Sequence, residues 1–161
     1  MTITLADRLV DFALGTRFEN LPATVVREGI RRWVDSLACA VGALREPASS
    51  IARTAARAMS GEPGASLIGG GRSAPDWAAF ANGVHIRYLD CNDTYLSLEP
   101  AHPSDNFAAI LAAAEMARAD GTAVLAAAAV AYEVQCRLCD AASIRARGWD
   151  QSEERHVGKE Y

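Results

Sequence analysis

Val26-Arg27-Glu28-Gly29-Ile30-Arg31-Arg32-Trp33-Val34-Asp35-Ser36-Leu37-Ala38-Cys39-Ala40-Val41-Gly42-Ala43-Leu44 is the stretch whose reading decides the fold class. Its apolar residues Val26, Ile30, Trp33, Val34, Leu37, Val41 and Leu44 recur at intervals of three and four, the period of one helix face. The spacing predicts a long helix with that face buried.

Working outward, the same period returns on both sides. Upstream, Thr4 can cap a first helix with Leu5, Leu9 and Phe12 on one face, and Gly15 ends it. Asn20-Leu21-Pro22 then restarts the chain. Downstream, Glu46-Pro47 breaks the long helix, and a shorter Ala/Arg-rich helix runs through Ile51 to Met59. Gly61 to Gly64 form a turn, and a short β piece is expected near residues 65–69, closed by Gly69-Gly70-Gly71. That triple glycine lacks the Lys-Ser/Thr of a P-loop and the GxGxxG spacing, so a flexible turn is the better reading. Pro75 suits the first turn of a helix whose buried face is Trp77, Phe80, Ala81, Val84 and Tyr88, with His85 and Arg87 on or beside its polar face. Ser104 or Asp105 can cap another helix, buried along Phe107, Ile110, Leu111 and Ala114. Asp120-Gly121-Thr122 opens a last helix with Val124, Leu125, Ala128, Tyr132 and Cys136 on its face. No strand set alternates, so the fold is read as all-α, a helical bundle.

Composition narrows the function classes. The chain has 161 residues, 50% hydrophobic and 22% charged, with a net charge of −4. That is enough for one domain with a core, and it offers no basic stripe for nucleic acid or membrane surfaces. The N-terminus has no apolar stretch of signal-peptide type, and the run Ala123 to Tyr132 is too short and Ala-rich to span a bilayer. Cys39, Cys91, Cys136 and Cys139 suit a reducing, cytoplasmic setting. Cys136-x-x-Cys139 lies inside a helical pattern with no second Cys/His pair, which favours small packed residues over a redox or zinc site.

Chemistry concentrates between two of the helices. Leu89-Asp90-Cys91-Asn92-Asp93-Thr94-Tyr95-Leu96-Ser97-Leu98-Glu99-Pro100-Ala101-His102-Pro103-Ser104-Asp105-Asn106 has neither helical nor strand period and is too polar to be core. Asp90 or Asp93 can act as a base or orient one, His102 can exchange a proton near neutral pH, and Thr94 can bond a substrate oxygen. His102 sits just ahead of a helix start, where the dipole favours an anion over an imidazolium. Taken singly, each of these residues also suits a structural role, and for Asp105 and Asn106 that reading is preferred. A metal site from Asp90, Asp93 and His102 matches no recognised ligand spacing.

The run Ala79-Phe80-Ala81-Asn82-Gly83-Val84-His85-Ile86-Arg87-Tyr88-Leu89-Asp90-Cys91-Asn92-Asp93-Thr94 followed by Ala101-His102-Pro103-Ser104-Asp105-Asn106 resembles the MmgE/PrpD family, in the form of its 2-methylcitrate dehydratases. Val34 to Cys39, Ala65 to Gly70 and Ala131 to Leu138 match as well. The resemblance implies a helical domain over residues 1–150 carrying much of an active site, with a smaller lid domain in longer relatives. It implies a lyase without cofactor or metal, acting on tricarboxylates in propionate breakdown, and a homodimer at full length. It assigns Asp90, Thr94 and His102 to catalysis, and Arg87, Asp93 and Thr94 to substrate binding. A cis-aconitate decarboxylase is the related alternative, disfavoured by the longer loop between Thr94 and His102. A helical binding or assembly module without activity, and a metal-dependent hydrolase, are the other readings. Against the family's length the chain is expected to be an N-terminal fragment of the helical domain. Residues 151–161 are then expected to be a charged tail, disordered or foreign to the native gene.

Overall fold

A computed structural model describes residues 3–148, so the expected tail at 151–161 lies outside the described residues. Six helices follow in order: α1 (Leu5–Gly15), α2 (Ala23–Gly42), α3 (Pro47–Arg57), α4 (Pro75–Arg87), α5 (Phe107–Ala117) and α6 (Gly121–Ala141). Between α3 and α4, β1 (Ala65–Ser66) pairs antiparallel with β2 (Arg72–Ser73), in the register Ala65 to Ser73 and Ser66 to Arg72. The all-α expectation and the small β piece both hold.

Local signals set the helix ends. The Thr4 hydroxyl accepts the Asp7 N–H at 3.2 Å, and the Asp7 carboxylate accepts the Thr4 N–H at 2.8 Å, a reciprocal capping box. Pro47 and Pro75 occupy the first turns of α3 and α4, where a missing N–H costs nothing. Asp120 accepts the Ala123 N–H at 2.9 Å to start α6. Arg118, in the left-handed region at φ 52°, stops α5.

The faces differ from expectation, and one rule explains how. Helices here pack largely through small residues, with Ile86, His85 and Phe107 as the large exceptions. On α2, Ile30, Val34, Leu37 and Val41 are exposed, while Ser36, Cys39 and Ala40 are buried. On α4 Phe80 is exposed, as is Tyr88 just past its end, while Ala78, Ala81, Asn82, His85 and Ile86 are buried. Small side chains let backbones approach, and the larger apolar residues are left at the rim. On α1 no residue is buried, so the expected face of Leu5, Leu9 and Phe12 has no full cover among the described residues. α5 buries Phe107, Ala108, Ala112 and Ala114, with Ile110 and Leu111 half-buried.

Two core clusters result. One is almost all alanine, with Ala52, Ala56, Ala78, Ala81 and Ala112 around Leu67. The other centres on Phe107, with Ala40, Ile86, Ala108 and Ala128. There the Trp33 and Phe107 rings stack at 4.1 Å, and Tyr132 lies 5.7 Å from Phe107. The apolar run at 123–132 belongs to α6, 21 residues long, in which an 18-residue window has a mean hydropathy of 1.2; by length and composition alone such a helix could cross a membrane, a test that core helices of folded domains also pass. In this fold its polar residues Tyr132, Gln135 and Asp140 are engaged in protein hydrogen bonds.

His85 lies inside the fold and not on its polar face. It is fully buried, and neither ring nitrogen has a hydrogen-bond partner. Burial holds its pKa below the ordinary 6.5; the nearby Ser49 backbone, which does not meet hydrogen-bond geometry with the ring, opposes this, and the Arg53 cation adds to it. The folded chain therefore keeps this imidazole neutral at a pH where the unfolded chain protonates it. Its contribution is complete above the ordinary imidazole pKa and is lost as pH falls below it. We expect the urea midpoint to drop between pH 7 and about pH 5, and His85→Leu to flatten that slope. An unchanged slope in the variant would remove His85 from the acid response.

Candidate functional site

The polar segment between α4 and α5 is folded into the domain and not looped out. Asn92, Asp93, Glu99, Ala101, Pro103 and Ser104 are buried, which corrects the reading of this stretch as too polar for the core. Burial is tolerated because the polar atoms are matched. Asp93 Oδ1 accepts the Ser104 N–H at 3.1 Å, and Oδ2 accepts the Tyr132 hydroxyl at 2.6 Å. Asn92 Nδ2 donates to Ser104 Oγ at 2.9 Å and to Asp105 Oδ1 at 3.0 Å. Glu99 Oε2 accepts the Ile144 N–H at 3.0 Å, while its Oε1 sits 3.4 Å from Arg145 Nε without hydrogen-bond geometry.

The segment is pegged along one stripe of α6. Tyr132 holds Asp93, Gln135 takes the Asn106 amide at 2.5 Å, and the Cys139 carbonyl takes the Glu99 N–H at 3.1 Å. Positions three and four apart share a helix face, so α6 forms a wall behind the loop. Asp140 adds bonds from Tyr95 at 2.9 Å and Ser97 at 2.5 Å. A pair of backbone bonds between Tyr95 and Ala101 closes the loop tip.

Arg87 is the hub of what this scaffold presents. It comes from the last turn of α4, half-buried. Its Nη1 contacts the Asp90 carboxylate and lies 3.3 Å from Asn92 Oδ1, and its Nη2 lies 2.9 Å from His102 Nε2. Asp105 Oδ2 stands 4.0 Å from Nε. Asp90 reaches its place through a left-handed backbone, φ 53°, a conformation aspartate tolerates better than most residues. A guanidinium has only donors, so Nε2 of His102 is the acceptor. Nδ1 then carries the hydrogen and donates to the Asp93 carbonyl at 2.7 Å. Thr94 Oγ1 is 3.5 Å from the same nitrogen, on the exposed side.

Charge and solvation are set by the same contacts. Asp105 is held above the usual carboxylate range chiefly by desolvation, opposed by Arg87, His102 and the Asn92 bond, with Asp93 adding to it. Burial, then the bond to Asp93, pushes the Tyr132 phenol far up, so it stays a donor. The anion-seeking helix start beside His102 is occupied by the chain's own Asp93 carboxylate, since neither Ser104 nor Asp105 caps it. Burial, followed by neighbouring acidic groups, pushes the Cys136 thiol up to about 11, and Cys139 rises too. Both are poor thiolates, as expected for packed residues.

Arg87, Asp90, Thr94 and His102 thus converge, while Asp93 has both carboxylate oxygens engaged. Asn92, Tyr132 and Gln135 were not singled out from sequence. The polar stripe on an otherwise apolar α6 is the signal that marks two of them. An open cavity of about 400 Å³ beside Thr94 is lined by Arg32, Tyr132 and Arg137 among others, and one of about 490 Å³ reaches Arg87 and Asp105. The larger grooves, about 820 and 870 Å³, run along α1 and α6 and include neither Arg87 nor His102. Among the described residues, no group of three or more His, Cys, Asp or Glu is placed to hold a metal ion.

The model of the MmgE/PrpD N-terminal domain matches residues 7–158. The chain is 34% identical over 109 residues to a 2-methylcitrate dehydratase of Cupriavidus necator, covering 66% of this chain and 22% of that protein. It is 36% identical over 85 residues to a probable 2-methylcitrate dehydratase of Saccharomyces cerevisiae, covering 52% and 16%. It is 56% identical over 41 residues to the 2-methylcitrate dehydratase of Salmonella typhimurium, covering 26% and 8%. The matched segments span at most about a fifth of these relatives' lengths.

Proposed function

Since the chain belongs to the MmgE/PrpD family and carries its N-terminal domain, we propose that residues 1–150 supply the acid–base half of a tricarboxylate hydro-lyase site of the 2-methylcitrate dehydratase type, with 151–161 as a charged tail. The observation that carries this reading is the guanidinium of Arg87 seated between the Asp90 carboxylate and His102 Nε2.

Dehydration of 2-methylcitrate moves a proton from a carbon next to a carboxylate to a base, breaks the neighbouring C–OH bond, and releases water with a new double bond. Such a step needs a neutral base and a cation near the carboxylate where negative charge grows. His102 offers a lone pair at Nε2, and its ring is held by the Asp93 carbonyl. Arg87 covers that lone pair and is also the group that would grip a substrate carboxylate in a forked bond. A carboxylate drawing Arg87 toward itself would uncover Nε2 beside the carbon to be deprotonated. Asp90 holds Arg87 before substrate arrives, and Thr94, on the open side, suits a substrate oxygen. No step in this scheme calls on a cofactor. A cytoplasmic setting and a homodimer at full length accompany the reading through the family.

The test is a 2-methylcitrate dehydration assay on the purified chain, read by absorbance of the unsaturated product, with Arg87→Met beside the wild type. The variant is expected to lose about tenfold to a hundredfold in kcat/KM, the worth of one charged bond. Equal rates would remove Arg87 from the site. A folded wild type that turns over nothing would show that groups beyond this chain are essential, and the assignment to it of a sufficient site would fail.

A further inference from the structure

We propose that Arg53 and Arg57 of α3, with the Gly69-Gly70-Gly71 turn, form an oxyanion site for a phosphate group, either inorganic phosphate or a phosphate monoester. This site shares no residue with the Arg87–His102 cluster and does not depend on the proposed lyase chemistry.

Three observations carry it. First, the two guanidiniums are uncompensated. α3 carries no acidic residue, and neither Arg53 nor Arg57 makes an ion pair among the described residues. Arg53 is half-buried and makes no hydrogen bond there either, so its five donors are left to solvent or to a ligand. The neighbouring Arg72, by contrast, lies 3.6 Å from Glu115.

Second, both side chains lie on the glycine turn. Arg57 Nη2 donates to the Gly70 carbonyl at 2.9 Å. A Cβ at Gly69 would stand 2.6 Å from Arg53 Nη1, and one at Gly71 would stand 3.5 Å from Arg57 Nε. Glycine at 69 is favoured by its φ of +89°, and the Arg53 and Leu44 side-chain ends both close on it at 2.6 Å from that Cβ position.

Third, the turn has donors to offer. The Gly70 N–H bonds the Leu67 carbonyl at 2.9 Å, while the N–H groups of Gly69 and Gly71 meet no acceptor among the described residues. All three glycines have positive φ and are exposed. Two free amides beside two forked cations match the charge and multiple acceptor oxygens of a tetrahedral dianion better than those of a planar monoanion. The donors differ from those of a P-loop, since the cations come from a helix flank and not from a Lys at a helix start.

The test uses the whole 161-residue chain with ¹⁵N-labelled glycine. Amide spectra are followed during titration with inorganic phosphate, then with glycerol phosphate, each against sodium chloride at equal ionic strength. We expect saturable shifts of the Gly69 and Gly71 signals and affinity about tenfold weaker in Arg53→Gln, the loss of one charge-assisted bond. Tighter binding of glycerol phosphate would identify a monoester as the ligand; equal or tighter binding of inorganic phosphate would identify the free ion. Arg57→Gln serves as a second variant, and the wild-type titration stands even if neither variant folds. The proposal is overturned if the wild-type glycine signals do not saturate, if chloride reproduces the shifts, or if the folded variants bind as tightly as the wild type.

Discussion

Replacing Phe107 by alanine is expected to lower the stability of the chain by about 3–5 kcal/mol, the usual cost of removing a buried aromatic ring. Phe107 is fully buried and opens α5 directly after the polar segment. Its ring stacks flat on Trp33 of α2, with 6° between the planes, and meets Tyr132 of α6 at 5.7 Å. One side chain therefore joins three helices. Most other core positions are alanines, which cannot expand into the void. The cavity term should accordingly stay near its full value, because flexible neighbours are few. Against a typical stability of about 5–15 kcal/mol, such a loss moves a urea midpoint a long way. Phe107→Leu should recover much of it, with a deficit of about 1.5 kcal/mol. Urea titrations of the three chains, followed by circular dichroism, decide the matter. A loss below about 1 kcal/mol in the alanine variant would mean that the Trp33–Phe107–Tyr132 cluster does not organise the core.

The helices were legible in the sequence because their punctuation is local. Thr4, Pro47, Pro75 and Asp120 mark helix starts by their own chemistry, and the three-and-four period marks what lies between. Which face is buried was less legible. The period of Ile30, Val34, Leu37 and Val41 identifies a helix, but their size keeps them from the closest contacts, which Ser36, Cys39 and Ala40 make instead. Hydropathy ranks residues by transfer energy, whereas an alanine-rich interface selects them by volume. The same limit hid His85, whose polarity placed it on the surface while its position on α4 buried it.

The candidate site divides along similar lines. Its location was legible, since Asp90, Thr94 and His102 crowd a segment without periodicity. The support behind it was not, because Tyr132, Gln135 and the Cys139 carbonyl come from 39, 29 and 40 residues away along the chain. Asp93 shows the consequence. In sequence it is one more carboxylate beside Asp90, but in the fold it joins Tyr132 to the Ser104 N–H and so holds the strand of loop from which His102 projects. Arg87 moved the other way, from one of three expected substrate-binding residues to the hub of the cluster.

His102→Gln should separate chemistry from scaffold more sharply than any other change. Glutamine keeps a polar side chain of similar reach, but it has no nitrogen lone pair able to take up a proton near neutral pH. If His102 Nε2 is the base that Arg87 covers, dehydration of 2-methylcitrate should slow by about a hundredfold to ten-thousandfold. The structural cost should be small. His102 makes two ordered bonds, donating from Nδ1 to the Asp93 carbonyl and accepting from Arg87 at Nε2; the glutamine amide still offers a donor and an acceptor, and losing one such bond costs about 0.5–1.5 kcal/mol. The measurement is therefore a pair, rate and urea midpoint, on the same preparations. A collapsed rate with a nearly unchanged midpoint places the proton transfer at His102. A collapsed rate with an equally collapsed midpoint makes His102 a prop for the loop, and the hub at Arg87 a structural clasp. An unchanged rate puts the base elsewhere, because no other histidine in the described residues reaches this cluster: His85 is sealed in the core with both nitrogens unpartnered.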